Sequence, residues 1–258
     1  MLIAVNAGNS HVLLGGYEED EQIFVASIAA EPSQTGDFYA CSLRQIFALH
    51  GVDSDRISGA ILSSVVPAMT PILESALRLL GVTDVIEVSS GLKTGLNIRS
   101  EQPRQVGADR VAGAVSALAR GKLPCVIVSL GTATTFTVLD AAGALVGSAI
   151  TAGVMTSLDA LRRRAAQLPA VSLEPAHETV LARNTADAMR VGAVYGAAAL
   201  VDGMTERFAE ALGEKAHVLV TGELAPLLCP HLRTPHEYVK SLVLDVQHLI
   251  WKRNRPTR

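Results

Sequence analysis

Gly107-Ala108-Asp109-Arg110 places a carboxylate next to a guanidinium, directly ahead of the small-residue stretch Val111-Ala112-Gly113-Ala114-Val115. A positioned carboxylate can take a proton from a hydroxyl, and an arginine fork can hold a carboxylate or phosphate through paired hydrogen bonds. The same Asp109 also suits the N-cap of the helix that the following residues predict, so a structural role stands beside the catalytic one. A second kind of chemistry is carried by two similar turns, Val5-Asn6-Ala7-Gly8-Asn9-Ser10 and Val128-Ser129-Leu130-Gly131-Thr132-Ala133. Each ends an apolar strand, bends through one glycine and small polar residues, and enters another strand. Such bends turn backbone N–H groups and short polar side chains outward, an arrangement that suits a polyphosphate.

These turns must be held by strands, and the pattern supplies them twice. Residues 2–6 and 11–16 predict a β-hairpin, Gln22–Ala29 a third strand, Asp37–His50 a helix, Gly59–Val65 a strand, and the stretch from Pro67 toward Leu80 a helix. The order recurs: strands at Cys125–Ser129, Thr135–Asp140 and Ala144–Ile150, a helix over Met155–Ala166, a helix over Thr185–Phe208, and a strand at His217–Val220 that ends in Thr221-Gly222. Residues 97–112 are expected to join the halves, and Tyr238–Trp251 to form a helix packed back on one of them. The expected division is 1–112 and 113–258. Three meandering strands followed by alternating α and β, used twice, resemble the actin and sugar kinase superfamily, in which two duplicated ribonuclease H-like α/β domains bind ATP.

Composition narrows the remaining classes. With 258 residues, 49% of them hydrophobic, the chain can bury a substantial core, and no apolar run approaches the roughly 20 residues of a membrane-spanning helix. A net charge of −3 with 22 scattered basic residues argues against nucleic acid. The start has no basic n-region and Asn6 interrupts its apolar stretch, so a cytoplasmic location is expected and no membrane partner. Cys41, Cys125 and Cys229 are too far apart for a zinc site, and all three read as buried small hydrophobes. Arg162-Arg163-Arg164 reads as a solvated helix face, and His11 as a surface or core histidine.

Over nearly its whole length the chain resembles the type III pantothenate kinases. The residues that carry this are Gly8-Asn9-Ser10, Ser63-Ser64-Val65-Val66-Pro67, Lys93-Thr94-Gly95-Leu96, Gly107-Ala108-Asp109-Arg110, Gly131-Thr132-Ala133-Thr134-Thr135-Phe136, Asn184-Thr185 with Ala188-Met189, and Thr221-Gly222. The resemblance implies ATP-dependent phosphorylation of pantothenate in coenzyme A synthesis. It makes Asp109 the general base and Gly107, Arg110, Thr185 and Lys93 the substrate contacts. It assigns ATP to Gly8, Asn9, Ser10, Gly131, Thr132, Ala133, Thr134 and Gly222, with a homodimer as the working form; the Val111–Leu118 helix could pack against its twin.

The pattern departs from the family at the cation positions. The family carries aspartates where this chain has Asn6 and Ser129, and Thr137, Ala152 and Glu223 also differ from its usual residues. Mg²⁺ would then be held largely by ATP itself, with Asn6 and Ser129 as neutral oxygen donors. A monovalent cation, which the family often needs near the second loop, is not expected here. Two function classes therefore remain in view. One is a kinase weakened at its cation site; the other is a non-catalytic relative that binds ligand or regulates.

Overall fold

The computed structural model describes residues 1–88, 94–173, 179–240 and 242–254. Contacts divide the chain into two units: 1–95, 102–116 and 241–258 form the first, and 96–101 with 117–240 the second. The first holds strands β1 (Leu2–Ala7), β2 (His11–Glu18), β3 (Glu21–Ala29), β4 (Gly59–Ser64) and β5 (Val85–Glu87), with helices α1 (Gly36–Leu49) and α2 (Met69–Leu79). Helix α3 (Ala108–Arg120) begins in the first unit and ends in the second. The second holds β6 (Cys125–Leu130), β7 (Ala133–Leu139), β8 (Leu145–Ala152), α4 (Val154–Arg164), α5 (Thr185–Leu212), β9 (His217–Thr221), the short α6 (Ala225–Leu228) and β10 (Glu237–Tyr238). The last helix, α7 (Leu242–Asn254), belongs to the first unit.

The two sheets have one topology. Their orders are β3-β2-β1-β4-β5 and β10-β9-β6-β7-β8, so β6 repeats β1, β7 repeats β2, β8 repeats β3, β9 repeats β4 and β10 repeats β5. The meander pairs are antiparallel, and β1·β4, β4·β5, β6·β9 and β9·β10 are parallel. This is a duplicated ribonuclease H-like α/β fold.

Burial explains why β1 and β6 are central. All six residues of β1 are buried, as expected of a strand covered on both faces. Its Ile3, Val5 and Ala7 share a core with Leu43 and Phe47 of α1 and Leu73 and Leu77 of α2. The other face is covered by α7: a Cβ on Gly59 would lie 2.3 Å from the Trp251 ring, so only glycine admits the indole there. In the second unit, Val126, Val128, Phe136, Val138, Val218 and Val220 pack with Val194 and Val201 of α5.

Local signals set the helix starts. Thr35 caps α1, its hydroxyl accepting from the Phe38 N–H at 3.3 Å. Asn184 caps α5, accepting from the Asp187 N–H at 2.9 Å, while its amide donates back to the Asp187 carboxylate at 2.7 Å. The expected continuous helix over Tyr238–Trp251 differs in its first part: Tyr238 lies in β10, paired in parallel with Val220, and the helix starts at Leu242. No helix among the described residues is long and apolar enough to cross a membrane.

Two surface expectations are corrected. Cys41 is exposed on α1, whereas Cys125 is buried and Cys229 half-buried. Residues 111–117 of α3 are all buried, so that stretch has no face left for a twin helix.

Candidate functional site

In the first unit, the bend between β1 and β2 is closed by the Gly8 N–H donating to His11 O at 2.9 Å, and its far side is tied to β3 by the Ala30 N–H on Ser10 O. Asn9 and Ser10 are exposed at the tip. Asn6, two residues before the glycine, is buried, and its Oδ1 has no hydrogen-bond partner. It pairs in register with Ser63 on β4, a fully buried serine whose Oγ is also unpartnered.

Gly107, and not Asp109, stands at the N-cap of α3. Its carbonyl accepts from the N–H groups of Arg110 at 3.0 Å and Val111 at 3.1 Å. Asp109 is therefore the second residue of the helix, with its carboxylate turned back over the glycine. A Cβ on Gly107 would lie 2.6 Å from Asp109 Oδ1. A side chain at position 107 would therefore displace the carboxylate from this orientation. A carboxylate in a helix's first turn is favoured by the exposed N–H dipoles there. Arg110 is half-buried, and its Nη2 donates to Gln105 O at 3.4 Å.

In the second unit, three backbone segments converge. The bend after β6 is closed by the Gly131 N–H on Ala133 O at 3.1 Å. The turn from β8 into α4 abuts it, with the Gly153 N–H donating to Thr132 O at 3.0 Å and the Thr156 hydroxyl to the same oxygen at 2.6 Å. The turn after β9 closes from another side: Gly222 has φ +106°, a Cβ on it would lie 2.4 Å from Leu130 O, and the Leu224 N–H donates to that carbonyl at 3.1 Å. The structure thus brings Gly131, Thr132 and Gly222 together and adds Gly153. Its signal in the sequence was only a glycine between a strand and a helix. Thr134 is buried, and Ala133 and Ser129 are half-buried.

Ser129 pairs with Thr135 on β7 and Thr221 on β9, so its cross-strand neighbours both carry hydroxyls. Thr185 is the exposed first residue of α5, next to a helix start whose Asp187 is bound to Arg190 at 2.8 Å. Glu223 is exposed beside Gly222. Lys93 lies outside the described residues. Among the described residues, no group of three or more His, Cys, Asp or Glu side chains could hold a metal ion. The donors on offer at the two cation positions are neutral oxygens. Asn6 Oδ1 is unpartnered but closed off from solvent.

A cavity of about 930 Å³ in the second unit is lined by Lys122, Thr205, His217, Arg233, His236 and Glu237, among others, and by none of the expected site residues. His217 starts β9, whereas the glycine turns follow the C-terminal ends of β6 and β9, where ligands of open parallel α/β sheets bind.

The model of the family described as type III pantothenate kinase matches residues 2–207. A type III pantothenate kinase from Syntrophotalea carbinolica is 38% identical over 255 residues, covering 99% of this chain and 100% of that one. Among solved structures, the activator of 2-hydroxyisocaproyl-CoA dehydratase from Clostridium difficile with bound ADPNP has a TM-score of 0.54 at 12% identity, covering 97% of this chain and 93% of that one. A ROK hexokinase from Thermus thermophilus has a TM-score of 0.52 at 13% identity, covering 96% and 97%. At these identities the two structures show the fold alone.

Proposed function

We propose, since this chain belongs to the type III pantothenate kinase family, that it transfers the γ-phosphoryl group of ATP to the primary hydroxyl of pantothenate, supplying the first intermediate of coenzyme A synthesis. The observation that carries the reading is the full-length likeness to a curated relative of that name, 38% identical across 99% of the chain. The local geometry agrees with it. Phosphoryl transfer needs positioned groups and charge stabilisation more than covalent chemistry. Each half of the chain contributes a glycine bend of the kind that binds phosphates.

In this reading the backbone of Gly8, Asn9 and Ser10 and that of Gly131, Thr132, Ala133 and Thr134 bind the phosphates, with Gly222 at the nucleotide. Asp109 accepts the hydroxyl proton as the pantothenate oxygen attacks phosphorus. The bond from the γ-phosphorus to its bridging oxygen breaks, and ADP leaves. Arg110 and Thr185 hold the substrate carboxylate, with Gly107 leaving room for the Asp109 carboxylate; Lys93 is assigned to the same substrate. Mg²⁺ carried by ATP would neutralise charge on the phosphate oxygens, with Ser129 as a hydroxyl donor to it and Asn6 as an amide-oxygen donor once its Oδ1 is exposed. The absence of an acid at position 129 supports a reaction without a monovalent cation. A homodimer and a cytoplasmic setting follow from the family, and the dimer is tested by sedimentation.

The deciding experiment is a steady-state assay with pantothenate and ATP over a wide Mg²⁺ range, run beside Asp109→Asn. Turnover is expected in the unmodified protein. The variant is expected to lose kcat by about 10²–10⁴-fold with little change in the pantothenate KM. Pantothenate binding in a calorimeter with no turnover at any Mg²⁺ concentration would replace this reading with that of a ligand-binding relative.

A further inference from the structure

The first unit places an unusual amount of uncompensated polarity beneath its glycine bend. Along β1, Ile3, Val5 and Ala7 face the core shared with α1 and α2, so Leu2, Ala4 and Asn6 point to the opposite face. On β4, Ala60 and Leu62 join that core, and Gly59, Ile61 and Ser63 point the other way. Helix α7 covers this second face. Leu244 approaches Gly15, the partner of Ala4, and Trp251 approaches Gly59, the partner of Leu2. Gln247 lies on the same helix, fully buried, and its Nε2 donates to Val5 O at 2.8 Å. Among the described residues, the buried side-chain atoms without a partner are Asn6 Oδ1, Ser63 Oγ and Gln247 Oε1. All three belong to this one layer.

A methionine or leucine would fill the space of Gln247 without burying an orphan oxygen, so burial alone does not call for an amide. What the amide supplies is one donor, placed on the carbonyl immediately before Asn6 and three residues before Gly8. We infer that Gln247 is a positioning residue for the first phosphate loop, fixing the end of β1 against α7 so that the loop amides are held where ATP meets them. The inference rests on the reading of residues 8–10 as an ATP-binding loop and adds a residue far from it in sequence. Gln247 acts through Val5 and Asn6.

The test is Gln247→Met, which keeps length and removes both donor and orphan acceptor. Its Tm is expected to stay level or rise, while the KM for ATP rises about tenfold, the worth of one hydrogen bond, and the KM for pantothenate holds. If this variant does not fold, Gln247→Glu carries the test. Burial keeps that carboxyl protonated at low pH, where it donates to Val5 O, and ionisation removes the donor as pH rises. Its KM for ATP is then expected to climb between pH 6 and pH 9 relative to the unmodified protein, by roughly the same tenfold. An unchanged KM for ATP in the variant that folds, or an equal rise in both KM values, overturns the inference. Hydrogen exchange separates it from the reading beneath it. If ATP fails to protect the amides of residues 7–12 in the unmodified protein, the loop assignment falls. If ATP protects them equally in the unmodified protein and in Gln247→Met, only the role of Gln247 falls.

Discussion

Gly153→Ala tests whether the second phosphate bend is held by backbone packing or by its own sequence. The added Cβ would lie 2.1 Å from Gly131 O and 2.5 Å from Thr132 O, both main-chain atoms that cannot rotate away. Restoring ordinary contact requires one segment to move by roughly 1 Å. That displacement also strains the Gly153 N–H bond to Thr132 O and the Thr156 hydroxyl on the same oxygen. Overpacking of this kind costs about 1–3 kcal/mol, which corresponds to a fall in Tm of roughly 3–10 °C for a chain of this size. A 1 Å misplacement of binding groups can reduce turnover by about 10²-fold. The comparison is Gly131→Ala, where the nearest atom to the added Cβ is Ala133 O at 3.9 Å. That variant should keep its Tm and change only the KM for ATP, through crowding of the phosphate. Differential scanning fluorimetry and an ATP-dependent kinase assay read the two effects separately. Equal Tm losses in the two variants, or none in either, would refute the argument from packing.

Restoring an acid at each cation position should give unequal results. Asn6→Asp would bury a carboxylate at a site where Oδ1 finds no hydrogen-bond donor, raising its pKa, so it should lower Tm at pH 8 and recover it as pH falls below the carboxyl's raised value. Ser129 is half-buried among hydroxyls, and Ser129→Asp should cost less, a difference read by thermal melts of both variants across pH. His248 is held below the usual histidine pKa, chiefly by burial, with Lys252 acting in the same direction and Asp20 and Asp245 against it. The unfolded chain then takes up the proton first, so the stability from neutral His248 is present above about pH 6.5 and is lost as pH falls below it. His248→Phe, which keeps the stack on Tyr17 at 4.8 Å, should flatten that part of the Tm–pH curve. Thiol titration of the native protein should find Cys41 fast, and Cys125 silent because burial pushes its thiol up to about 12.

The meander-then-alternation order was legible because each strand carries enough apolar residues to show its period, and because the two halves repeat one order. The short edge strands β5 and β10 were not. β5 has three residues and β10 two, too short for any periodicity, and both are set by pairing with β4 and β9. Of the candidate site, the bends at Gly8 and Gly131 and the place of Asp109-Arg110 at the start of a helix could be read from residue type and spacing. Gly153 could be set in a turn by the nucleotide only through the family resemblance, with its packing hidden, and Gln247 could not be read at all. Their importance comes from what lies within a few ångströms in the fold: backbone oxygens of a bend more than 20 residues earlier for one, and a strand carbonyl 242 residues away for the other.

The duplication makes positions 6 and 129, both proposed to face a cation, comparable in a way that the sequence alone conceals. Asn6 pairs with Ser63 across β1 and β4, and Ser129 pairs with Thr221 across β6 and β9, which are the equivalent strands of the repeat. In each case a glycine follows two residues later. Both places present hydrogen-bonding oxygens without formal charge, but only the first leaves them buried and unpartnered beneath a helix. A charge at the first position must therefore overcome desolvation that a charge at the second does not meet. The halves that share a topology do not share an electrostatic tolerance. Tolerance of an acid is then set at position 6 by the packing of α7 over it, a constraint that position 129 does not share.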